Sequence, residues 1–216
     1  MGKDTAKSKE SREVAVMNRL LRTYCINLGE VAFEWNNLQE LLGIAFSKIL
    51  NARHPIAAAT IWHALPSDRT QRLILRELIV AFYRPENLEL AKAANPNITY
   101  LIPFGDELIW AIDTIDNKYS NKRNNAVHIP MNFFGLDASD ITLVPDVSFF
   151  NKRSIKFLEK DLIEEMKNCA LNLNYLHFFV CDLLDWFDAN DFSRSLPKRP
   201  QLLEIPVAKR RKASRG

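Results

Sequence analysis

Near the C-terminal end, Leu162, Met166, Cys169, Leu173, Leu176, Val180, Leu183 and Phe187 recur in strict steps of four and three. That spacing keeps every one of them on a single stripe of a helix, so it predicts a helix over 154–188. At 1.5 Å per residue such a helix is roughly 50 Å long. The same rhythm occurs near the start, in Tyr24, Leu28, Val31, Trp35, Leu38, Leu42, Ala45 and Ile49. It predicts a second long helix over 13–51, with Gly29 a weak point at about 1 kcal/mol relative to Ala. Two long apolar stripes must each be covered. The simplest fold is an all-α bundle of four to six helices in which these two pack together, the last also offering a dimer seam. With only 6 glycines in 216 residues, the chain lacks the turn content of a β fold and any Gly-rich phosphate loop.

Shorter elements fill the middle. Pro55 opens a helix over 55–64, broken at Leu65-Pro66. Ser67 or Asp68 caps a third helix over 68–83, whose apolar face reads as Ile74, Leu78 and Phe82. Arg69, Arg72 and Arg76 form a basic stripe on another face of it. That stripe is either a solvated or salt-bridged face or a set of phosphate contacts. Residues 85–103 read as a broken connector holding a short helix at 87–94. The segment 131–150 changes period and reads as a loop or small β-hairpin between helices. Phe133 and Phe134 within it either pack on the bundle or stack a nucleic-acid base.

Charge is unevenly spread over the net +3. Residues 193–216 carry eight basic residues against Glu204 alone, including the run Lys209-Arg210-Arg211-Lys212. They read as a flexible basic tail, serving either solubility or electrostatic attraction of nucleic acid. Residues 1–12 are polar and aperiodic and read as disordered. The body, 13–192, is left acidic, so any nucleic acid should bind at a local pocket rather than over a broad surface. Cys25, Cys169 and Cys181 lie in helical patterns and read as reduced thiols of a cytoplasmic protein. No run of 18 apolar residues and no signal peptide is expected, which points away from a membrane.

The chemistry concentrates in 106–130, DELIWAIDTIDNKYSNKRNNAVHIP. Leu108, Ile112, Ile115 and Tyr119 share a helical face, and Arg123 continues their phase. Pro130 should end the helix near His128, because a residue before proline avoids the α region. Unwinding there would let the His128 imidazole swing back towards the Arg123 guanidinium. Arg123, Asn124 and His128 would then surround one phosphate with a fixed cation, a polar group and a titratable acid/base.

The string RNNAVH, Arg123 to His128, resembles the Arg-x4–6-His motif of the HEPN superfamily. There a polar residue commonly follows the Arg, and the motif sits late in a helix of an α-helical bundle. The resemblance implies a HEPN-like bundle acting as a metal-independent endoribonuclease that leaves 2′,3′-cyclic phosphate ends. It also implies a homodimer with a composite cleft, and a toxin–antitoxin or antiphage defence role with an antitoxin or other regulatory partner. His128 would be general acid or base, Arg123 would neutralise phosphate charge, and Asn124 would orient either. Glu34 is a candidate to orient His128, against the plainer reading of a boundary carboxylate. Arg69, Arg72 and Lys122 are candidate RNA contacts. No cofactor or metal is expected: His177 and Cys181 lack a second ligand pair, and no GxGxxG, GxSxG or P-loop is present. His63 reads as structural, and Asp113 and Asp116 as ion-pair partners rather than a catalytic dyad. The rival reading is a non-catalytic HEPN-like helical binding module.

Overall fold

The computed structural model describes residues 2–51, 54–146 and 161–204, with side chains from residue 9 onward. It is an all-α architecture with one small hairpin. The order is α1 (Gly2–Ile49), α2 (Pro55–Ala64), α3 (Asp68–Tyr83), α4 (Leu88–Ala94), α5 (Ile98–Thr114), a π-helical turn (Ile115–Tyr119), α6 (Ser120–His128), β1 (Met131–Phe134), β2 (Thr142–Pro145) and α7 (Leu162–Ala189). The strands pair antiparallel, Met131 opposite Pro145 and Phe134 opposite Thr142. No described helix is long and apolar enough to cross a membrane. The described residues group into two compact units, one drawn from 1–32, 122–170 and 203–216, the other from 33–121 and 171–202.

In the second unit α1 and α7 lie side by side. Asn174 donates to Glu34 at 3.1 Å and Lys48 to Asp188 at 2.7 Å. Both pairs are 140 residues apart, so the helices run parallel at constant register. From Val31 to Ile49 the α1 stripe is buried, as is the α7 stripe from Met166 to Leu183. Fully buried Phe104 of α5 sits 5.0 Å from the Phe187 ring and 6.0 Å from that of Trp186, with Tyr83 edge-on at 5.8 Å. Helices α3 and α5 approach closely at Gly105, where a Cβ would lie 3.0 Å from that of Tyr83.

Several expectations need correction. Residues 2–12 are helical and belong to α1. Their polarity removes a core face, but Lys, Glu, Arg and Ala are strong helix formers that extend an existing helix at little cost. Helix α5 begins at Ile98 and runs through Pro103 rather than starting after it. An internal proline costs about 3 kcal/mol. Burial of Leu101, Phe104 and Leu108 around it supplies the offset.

On α3 the buried face is Arg72, Leu75, Ile79 and Tyr83, while Ile74 and Phe82 are exposed. Arg72 is 1% exposed, so of the two forms of that stripe the salt-bridged one holds here, with Arg76 paired to Asp113 and Arg72 to Asp116. Its guanidinium stacks 5.0 Å above Trp35 and donates to Asp116 from Nε at 2.8 Å and Nη2 at 2.7 Å. A facing carboxylate and an aromatic ring make a buried cation tolerable.

The basic tail also differs from expectation over its described part. Trp186 Nε1 donates to the Arg194 carbonyl at 3.0 Å, and Phe192 stacks on Tyr100. Arg199 forks onto Glu107 and lies 4.9 Å above the Trp110 ring. Residues 193–202 are thus docked coil, and the basic run 209–212 lies outside the described residues, as does the 154–160 start of the last expected helix.

Candidate functional site

The helix carrying the motif is continuous from Ile98 to His128, but its pitch is not. At the π-turn the Ser120 N–H bonds the Ile115 carbonyl, five residues back instead of four. A π-turn takes up one extra residue, which breaks the 3.6-residue phase. The buried stripe accordingly stops at Tyr119, and α6 contains no buried residue. Arg123 therefore does not extend the core stripe as its spacing suggested. It is half-buried, and its Nη1 donates to Asn124 Oδ1 at 3.1 Å.

Within its own unit, α6 docks through a different set of residues. Lys122, Asn125, Ala126 and Ile129 line a small cavity of about 20 Å³ together with Tyr24, Glu165 and Cys169. The spacings of three, one and three make these four one helical face. The Tyr24 hydroxyl donates to the Ala126 carbonyl at 3.1 Å and ties this face to α1. Burial raises the Tyr24 hydroxyl above its ordinary pKa and pushes the Cys169 thiol up to about 12, despite an opposing pull from Lys122. Cys169 is thus a protonated core thiol, not a nucleophile.

At about 100° per residue, Arg123, Asn124, Val127 and His128 fall on the opposite side of α6, their mean direction about 180° from the docked face. Val127 is 43% exposed and His128 is exposed. His128 remains helical, and the next residue, Ile129, still bonds the Asn125 carbonyl at 3.0 Å. The expected unwinding at Val127–His128 does not occur. The chain turns at Pro130 instead, whose carbonyl accepts from Asp146 at 2.7 Å as the hairpin begins. Arg123 and His128 thus point about 140° apart on one unbroken helix.

The other candidates lie as follows. Lys122 is on the docked face, opposite the motif face. Glu34 and Arg72 belong to the other unit, where they bond Asn174 and Asp116. Arg69 is exposed on α3. Asp113 and Asp116 are ion-pair partners, of Arg76 at 3.4 Å and Arg72 respectively. Phe134 is 73% exposed at the end of β1, while Phe133 is half-buried. His63 is on the surface beside Glu40 at 3.5 Å. His177 contacts Cys181 at 3.7 Å, and no group of three or more metal-ligating side chains exists among the described residues. The π-turn was missed from sequence. Its only local sign is the crowding of small and apolar residues at Ala111, Ile112, Thr114 and Ile115, which fits no single helical stripe.

No family model matches the sequence, and no curated protein or solved structure matches it.

Proposed function

We propose that the chain is a metal-independent, HEPN-like endoribonuclease whose reacting groups are Arg123, Asn124 and His128. The observation that supports this best is the two-faced character of α6. One face is docked through Lys122, Asn125, Ala126 and Ile129, which leaves half-buried Arg123 and Asn124 and exposed His128 on the side turned away from that dock. Residues selected only for packing would be on the docked side.

In this reading a ribose 2′-OH attacks the adjacent phosphorus, the P–O5′ bond breaks, and a 2′,3′-cyclic phosphate and a free 5′-OH result. One proton leaves the 2′-OH and one must reach the departing O5′. An imidazole can do either near neutral pH. A single imidazole cannot hold both states at once. A second His128 from another copy of the chain would supply the other transfer, which makes the proposed site a composite one in a homodimer. Arg123, steadied by Asn124 Oδ1, would balance charge on the non-bridging oxygens. A toxin–antitoxin or antiphage setting, with a regulatory partner restraining the cut, belongs to the same proposal.

The second reading is a non-catalytic helical binding module. It is favoured by the angle of about 140° between Arg123 and His128 on one helix, which keeps them off a shared phosphate within one chain. Purified protein incubated with mixed RNA, with and without chelator, separates the two. Cleavage with cyclic-phosphate ends, unaffected by chelator and reduced about 10²–10⁴-fold in His128→Ala, supports the enzyme. Absence of cleavage by wild type, or equal cleavage by His128→Ala, leaves the binding module.

A further inference from the structure

A groove of about 460 Å³ opens in the unit of residues 33–121 and 171–202, and nothing above gives it a role. Its volume suits a small ligand. Three cations line it, and they come from separate stretches of chain: Arg84 after α3, Lys118 on the π-turn, and Arg199 in the coil after α7. Asp106 and Asp113 also line it, but each already has a cation. Arg84 donates to Asp106 through Nε at 2.9 Å and through Nη2, and Arg76 reaches Asp113 at 3.4 Å. Arg199 spends Nε and Nη2 on Glu107, at 2.7 and 3.1 Å.

Among the groups left over, donors outnumber the two remaining carboxylate oxygens, Asp106 Oδ2 and Asp113 Oδ2. The Nη1 of Arg84 and of Arg199 have no partner among the described residues. Lys118 and Asn117 are both exposed, and neither side chain makes a hydrogen bond or ion pair with a described residue. Both are on the π-turn, and wide turns of this kind occur frequently at functional sites. Two guanidinium edges, an ammonium and an amide form a donor set that matches an acceptor-only tetrahedral oxyanion.

We propose that this groove is a phosphate-binding site, with Lys118 as its principal ligand and Arg84, Arg199 and Asn117 as its hydrogen-bond donors. The phosphate belongs either to a free phosphate or to the phosphodiester of a single RNA strand. The site does not depend on the ribonuclease reading.

The test uses the full chain with two probes, inorganic phosphate and a short single-stranded RNA bearing 2′-O-methyl riboses, which cannot be cut by 2′-OH attack. Binding is read by calorimetry and by the amide signals of Asn117 and Lys118. Lys118→Ala should weaken binding about tenfold or more, the worth of one charge-assisted hydrogen bond. For the RNA it should also reduce the salt slope by about 0.7. Lys92→Ala, whose ammonium pairs with Glu89 on α4 and lines no part of the groove, should bind as wild type. Phosphate binding without RNA binding assigns the site to a free phosphate, and the converse to a strand. Failure of both probes to bind, or unchanged binding by correctly folded Lys118→Ala, overturns the proposal. If the chain cuts RNA while Lys118→Ala shows wild-type binding, the groove fails and the ribonuclease stands. If it binds phosphate but never cuts, the reverse holds.

Discussion

Arg72 and Asp116 allow the π-turn to be tested through its tether to α3. Arg72 is 1% exposed and its Nη1 is buried without a partner among the described residues. Asp116 accepts both of its bonds on one oxygen and is 37% exposed. An exposed pair is worth up to about 1 kcal/mol, while removing one member of a fully buried pair costs about 3–5 kcal/mol. With one partner sealed and the other open to water, the coupling should fall between, about 2 kcal/mol. The experiment is a double-mutant cycle of Arg72→Met, Asp116→Ala and both together, unfolded in urea and followed by circular dichroism. Asp116→Ala alone should cost about 2–3 kcal/mol, because it leaves a buried guanidinium without its carboxylate and with only the Trp35 ring against it. For a chain of this size that lowers Tm by roughly 4–12 °C. In the Arg72→Met background the same change should cost little. Amide exchange at Ile115–Tyr119 should accelerate in Asp116→Ala, since the tether holds that turn. A coupling below about 0.5 kcal/mol would place this pair with ordinary surface bridges and refute the argument.

Three further outcomes follow from particular contacts. Gly43→Ala would set a Cβ 2.9 Å from the Trp62 indole, so it should destabilise by about 1–3 kcal/mol although alanine is the better helix former. Equal or higher stability in urea would show that α2 yields freely. Arg199→Ala should cost about 1 kcal/mol and shift Trp110 fluorescence, from loss of the Glu107 fork and the stacked ring on a half-exposed side chain; an unchanged spectrum would mean the coil is not docked. The Asp140 carboxylate is held below its ordinary pKa by backbone N–H bonds from Asp137 and then Leu136. Its contribution is therefore present above about pH 4 and is lost as pH falls through the lowered value, so exchange in the 135–141 loop should rise only in acid, and Asp140→Asn should show fast exchange at pH 7.

The architecture was legible because helical periodicity is a local property. The stripes Val31–Ile49 and Met166–Leu183 are buried as their spacing demands. Ser67 caps α3 by accepting from Thr70, and the hairpin follows the change of period after Pro130. What sequence could not decide was which side of a mixed helix faces inward. On α3 a stripe of Ile74 and Phe82 lost to one containing an arginine, because Trp35 and Asp116 wait opposite Arg72, 37 and 44 residues away in the chain. The same holds for Arg199, which reads as tail charge until Trp110 and Glu107 are beside it. At the motif, Arg123, Asn124 and His128 and the end of their helix were all visible in the letters. The π-turn was not, because a turn one residue wider than ideal is chosen by packing on both sides of it, and that single residue decides which face the arginine takes.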